Sequence, residues 1–138
     1  MATLTLERKV NLSIEKVWSL IGDFTASPGP DIKVEVEKEG DPNKGGAGTI
    51  RIITIGKVCV KEILDTANPP DSFTYRILSG APMKEYHGKV NFEDRDGVTM
   101  IYWQAEIKPK IPFTGPILVK VTKGAINGII DAVEKYHT

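Results

Sequence analysis

Two charged side chains occupy positions where a strand would normally bury apolar ones, and chemistry in this chain starts with them. Arg51 shares its strand parity with Ile53 and Ile55, and Glu62 shares its parity with Val58, Val60 and Leu64. Side chains alternate across a strand, so both charges point toward the core if these stretches are strands. An unpaired buried charge is costly enough that it neutralises or finds a partner. Gly56 lies between the two stretches, where a turn would lay them side by side and give each charge its counter-ion in the other. Such a pair serves either structural specificity or the polar end of a pocket. The alternative is a bulge that moves the parity by one and leaves both charges in water.

Aromatic residues follow the same parity. Tyr75, Tyr86, Phe92 and Trp103 all fall on the inward side of their predicted strands. Inside a concave sheet they would either fill the core or line an apolar cavity with a few directed polar groups, as in a small-molecule site. Ile53 belongs to the same wall. Glu62 is the one carboxylate with a case for burial, and so the one candidate for acid–base catalysis.

Other chemistries find little support. Gly45-Gly46-Ala47-Gly48 lacks a following Gly-Lys-Ser/Thr, and a strand rather than a helix comes after it, so it reads as a hairpin loop and not a phosphate cradle. His87, His137 and Cys59 are the only imidazoles and thiol; they are scattered, so no metal site is expected. No nucleophile elbow is present, and no cofactor is expected. Eighteen basic and eighteen acidic side chains cancel, which gives no field to attract nucleic acid. Met1–Val10 is too charged for a signal peptide and no run is long enough for a membrane span, so a cytoplasmic location is expected.

The elements that must position these groups are legible in order. Ala2–Lys9 alternates as a strand. Ser13 suits the N-cap of a short helix carrying Ile14, Val17, Trp18 and Ile21 and ending near Gly22. Asp23–Pro30 is broken by prolines and has room for at most one further helical turn. Six strands follow: 32–36, 49–55, 57–64, 73–78, 86–93 and 98–107. Their short turns imply an antiparallel meander with one buried face. Asp94-Arg95-Asp96-Gly97 fits a tight hairpin. Phe113–Tyr136 reads as one long helix with Pro116 in its first turn. Its expected inner face is Ile117, Leu118, Val121, Ala125, Ile129, Ala132, Val133 and Tyr136. Gly124 and Gly128, each costing about 1 kcal/mol against Ala, are expected to leave a gap beneath it. The whole, residues 1–138, reads as one α+β domain.

This layout resembles the helix-grip fold of the START-like, or SRPBCC, superfamily: a curved antiparallel sheet of about seven strands around a long C-terminal helix, with two short helices after the first strand. Val17-Trp18 with Ile21-Gly22-Asp23-Phe24 is similar to a segment of the polyketide cyclase/dehydrase and lipid-transport family. Gly48-Thr49-Ile50-Arg51, Glu62-Ile63-Leu64, Tyr75-Arg76-Ile77 and Thr99-Met100-Ile101-Tyr102-Trp103 follow in that family's order. Gly45–Ile50 also resembles the glycine loop of birch-pollen-allergen-type proteins. The Pro- and Gly-rich connection after Asp23 departs from relatives that place a second aromatic there.

The resemblance implies a cavity between sheet and helix for a hydrophobic small molecule, lipid-like or polyketide-like. Arg51, Glu62, Tyr75, Tyr86 and Trp103 would line it, with Val121 and Ala125 from the helix. Members range from carriers to cyclases, so two alternatives stand beside a binding protein. One is a cyclase or dehydratase with Glu62 or a tyrosine moving a proton. The other is a protein-interaction module, or homodimer, using the helix's surplus apolar arc.

Overall fold

A computed structural model describes residues 1–138. Seven strands form one antiparallel sheet in the order β1-β7-β6-β5-β4-β3-β2. They are β1 (Ala2–Val10), β2 (Ile32–Lys38), β3 (Ile50–Ile55), β4 (Val58–Asn68), β5 (Ser72–Ser79), β6 (Met83–Arg95) and β7 (Val98–Pro109). Apart from the crossing of β1 to pair with β7, the sheet is the meander that short turns dictate. The β6–β7 hairpin closes on Asp96 and Gly97, both at positive φ, with Arg95 paired to Val98. That is the tight turn expected from an Asp-Gly pair.

After β1, α1 (Ile14–Val17) runs directly into a π-helical turn, Trp18–Gly22. Lys16 N donates to Ser13 Oγ at 3.2 Å, the expected N-cap. The Pro- and Gly-rich stretch that follows forms turns only, so one short helical unit stands where two short helices were expected. The prolines remove the donors a second helix would need. Phe24 nevertheless leaves this stretch to be fully buried, which closes that end of the fold.

The long helix, α2 (Gly115–His137), lies across the concave face. Arg8 of β1 clamps it, with Nη1 2.7 Å from Asp131 Oδ1 and Nη2 3.1 Å from Glu134 Oε1. Tyr136 donates to Asp31 Oδ2 at its far end. The face it buries is rotated from the expected one. Leu118, Thr122, Ile126, Ile129, Ile130 and Val133 are buried, whereas Ile117, Val121 and Tyr136 are 63%, 52% and 38% exposed. A helix apolar around most of its circumference does not define one stripe, and the sheet's curvature makes the choice. Gly124 faces open space and Gly128 approaches Ile55, so neither glycine creates a gap beneath the helix. No helix is long and apolar enough to cross a membrane.

Candidate functional site

β3 and β4 carry Arg51 and Glu62 directly opposite one another, an unbroken register that puts both on the concave face. The irregularity at Lys61/Glu62 lies on the β5 side of β4 and leaves this pairing intact. Arg51 is 6% and Glu62 7% exposed. Nε and Nη2 of Arg51 both approach Glu62 Oε1, each at 3.0 Å. The guanidinium carbon lies 3.7 Å from the centroid of the Phe24 ring. The ion pair is therefore covered on one side by an aromatic face that favours the cation.

Tyr75 on β5, Tyr86 on β6 and Trp103 on β7 extend this polar line across the sheet. Trp103 Nε1 donates to the Tyr75 hydroxyl at 2.9 Å, and the two tyrosine hydroxyls are 2.5 Å apart. Gly88 pairs with Tyr75, and any Cβ at Gly88 would collide with the Tyr75 ring. Glycine at that position lets the ring lie against β6. Burial pushes the Tyr75 phenol well above its ordinary pKa, and the neighbouring Tyr86 and Glu62 charge add to the shift. Tyr86 is also pushed up, chiefly by burial; the hydrogen bond with Tyr75 opposes the shift and Glu62 adds to it. Both phenols stay protonated at neutral pH, so both are available as donors.

These groups border a cavity of about 290 Å³ between the sheet and α2. Of the residues expected there, Arg51, Ile53, Glu62, Tyr75, Tyr86, Trp103, Val121 and Ala125 line it. Phe92 does not. Its ring lies 6.0 Å from Trp18 and 6.1 Å from Phe73, inside an aromatic cluster beneath the short helical unit. It shares the inward face, but Trp18 covers its part of the sheet. The cavity is open between the β3–β4 turn, the β5–β6 loop at Gly80–Met83 and the first half of α2, where Val121 sits half-exposed. Its lining is mostly apolar, and Lys57 is the one charged side chain besides the Arg51–Glu62 pair.

Sequence reasoning missed several wall residues. Ile126 and Thr122, the latter with a hydroxyl, contribute from α2 because the helix is rotated, and Leu118 joins them from the expected inner face. Phe24 was hidden in a stretch read as loop; a lone aromatic amid prolines was its only signal. The glycine loop is docked rather than open: Gly45 packs against Asp23, and Phe24 N donates to Gly45 O at 3.2 Å.

A family model described as polyketide cyclase/dehydrase and lipid transport matches residues 1–137. No curated protein matches the sequence. Among solved structures, XoxI from Bacillus cereus is similar with a TM-score of 0.77 at 21% identity, over 98% of this chain and 94% of that one. Ara h 8.0201 is similar with a TM-score of 0.74 at 23% identity, over 97% and 95% of the two chains. A START superfamily protein from Mycobacterium smegmatis reaches 0.77 at 14% identity, over 98% and 96%. At these identities the likeness is one of fold.

Proposed function

Because the chain belongs to the polyketide cyclase/dehydrase and lipid transport family, we propose that it binds a hydrophobic small molecule between its sheet and α2. The observation that carries this reading is the cavity of about 290 Å³, apolar over most of its wall and polar at one end. That volume is at the low end for small-molecule sites. Burying roughly 200 Å² of ligand carbon there would contribute about 5 kcal/mol before the costs of association are subtracted. The Arg51–Glu62 pair and the tyrosine hydroxyls would orient the ligand's polar end.

Carriage fits this arrangement better than turnover does. The buried carboxylate is held in an ion pair, and burial moves both phenols away from neutral titration. A general acid or base works best with a pKa near the operating pH. Fluorescence titration with the neutral dye N-phenylnaphthylamine tests the reading. Saturable enhancement is expected, and it should disappear in Ala125→Trp, which fills the cavity from the helix side. No saturation, or unchanged binding in a folded Ala125→Trp variant, would overturn it.

A further inference from the structure

The hydrogen atoms at the inner wall do not balance. Trp103 Nε1, Tyr75 and Tyr86 bring three donor hydrogens, and the wall holds two close hydrogen bonds among them, Trp103 to Tyr75 and Tyr75 with Tyr86, with Trp103 also acting as a donor toward Tyr86. Neither hydroxyl has another hydrogen-bond partner in the protein. If Tyr75 donates to Tyr86, the Tyr86 hydrogen is spare; if Tyr86 donates, the Tyr75 hydrogen is spare. The first arrangement is the better one. Trp103 already donates to the Tyr75 oxygen, so Tyr75 meets both its neighbours by accepting from one and donating to the other. In a chain of this kind each bond polarises the next, which strengthens the donor at its end. A buried donor without an acceptor is costly, and both rings border the cavity, so an acceptor on its occupant would complete the chain.

Charge narrows the occupant further. Arg51 is matched by Glu62, whose Oε1 takes both of the guanidinium contacts. Glu62's second oxygen has no protein partner, and its charge reaches both phenols. The inner end thus offers one hydroxyl donor, one carboxylate oxygen, the Arg51 N–H groups that Glu62 does not take, and no unmatched positive charge. The only other cation on the wall is Lys57, which is exposed in the β3–β4 turn. A carboxylate or phosphate head would meet Glu62 with nothing to neutralise it.

We infer that the ligand is a neutral apolar molecule carrying a carbonyl or similar acceptor oxygen, held by the hydroxyl chain that ends at Tyr86, and not an acidic lipid. This rests on the cavity being a ligand site, and the test separates the two. Calorimetry would compare acetylnaphthalene, its hydrocarbon isostere isopropenylnaphthalene, and naphthoate. The ketone should bind about tenfold tighter than the hydrocarbon, the usual effect of one satisfied buried hydrogen bond, and naphthoate should bind more weakly than the ketone. The carbonyl stretch of the bound ketone should shift to lower frequency. In Tyr86→Phe, where the spare hydrogen retreats to Tyr75, both the affinity ratio and the frequency shift should shrink. Equal binding of ketone and hydrocarbon, an unshifted carbonyl, or tightest binding by naphthoate would overturn the inference while leaving the cavity reading intact. If none of the three binds, the cavity reading itself fails. Should Tyr86→Phe not fold, the comparison in the unaltered protein still decides.

Discussion

Phe92 and Ile53 both point from the sheet into the interior, and their surroundings differ. Phe92 lies outside the cavity wall and meets Trp18 and Phe73 at ring separations of 6.0 and 6.1 Å, in edge-to-face and tilted arrangements. Ile53 faces a cavity of about 290 Å³. The helical unit after β1 covers Phe92 with Trp18, and the turn beyond it sets Phe24 against Phe73, so that these last two rings form the cavity's end wall. Over Ile53 there is only α2, which presents Leu118, Val121, Thr122, Ala125, Ile126 and Ile129 to the space, none of them aromatic. The difference teaches that this void does not come from helix glycines. It arises where the one element covering that half of the sheet presents only aliphatic side chains and a threonine, next to a half closed by four large rings. Interiors pack to near-crystalline density wherever side chains can reach; here they reach only at one end.

The sharpest way to break the comparison is to empty the closed end. Phe92→Ala should cost about 3–5 kcal/mol, as for other buried aromatics. Ile53→Ala should fall near the bottom of the range of about 2–5 kcal/mol for large-to-small changes, because its ring of contacts is already incomplete. Urea denaturation measures both, and equal losses would mean that the two ends are packed alike.

The buried pair makes a second contrast, between ionic and apolar solutions at the border of the two ends. Glu62→Met should cost about 3–5 kcal/mol by leaving Arg51 unmatched, whereas Arg51→Met with Glu62→Met should recover most of the loss. A double variant no more stable than the single would show that the charges are not coupled.

The smallest effect expected is in the pH dependence. Tyr75 and Tyr86 are raised above the ordinary value of 10.0 in the folded state. Their contribution is therefore complete below pH 10, where folded and unfolded chains are both protonated. Above it only the unfolded phenols ionise, so stability declines as pH rises. Each tyrosine contributes at most about 1.4 kcal/mol per pH unit to that slope. Tyr86→Phe should flatten the fall of the denaturation midpoint above pH 10; an unchanged slope would place Tyr86 in water.

Much of this architecture could be read from strand parity. Alternation is strict in β7, where Ile101, Trp103, Ala105 and Ile107 are all buried, and a Gly turn set Arg51 opposite Glu62. Parity assigns a face but not a depth along it, which is why Phe92 was expected at the cavity and lies in the aromatic cluster instead. The helix was harder to orient. Ile126 and Ile130 are as apolar as Ile117 and Val121, and only contact with the curved sheet decides which pair is covered. Phe24 was illegible for a related reason: no periodicity marks a single buried ring in an irregular stretch. The rings that close one end, and the rotation that aims Thr122 and Ile126 at the other, are tertiary facts with no local signature.

Methyl-resolved NMR with a bound neutral naphthalene tests the central claim most directly. Ligand protons should show NOEs to the methyls of Ile53, Ala125 and Ile126, and none to Leu20, which is buried but outside the cavity wall. Contacts confined to the exposed Ile117 methyls, or no saturable contacts at all, would contradict a ligand site between the sheet and α2.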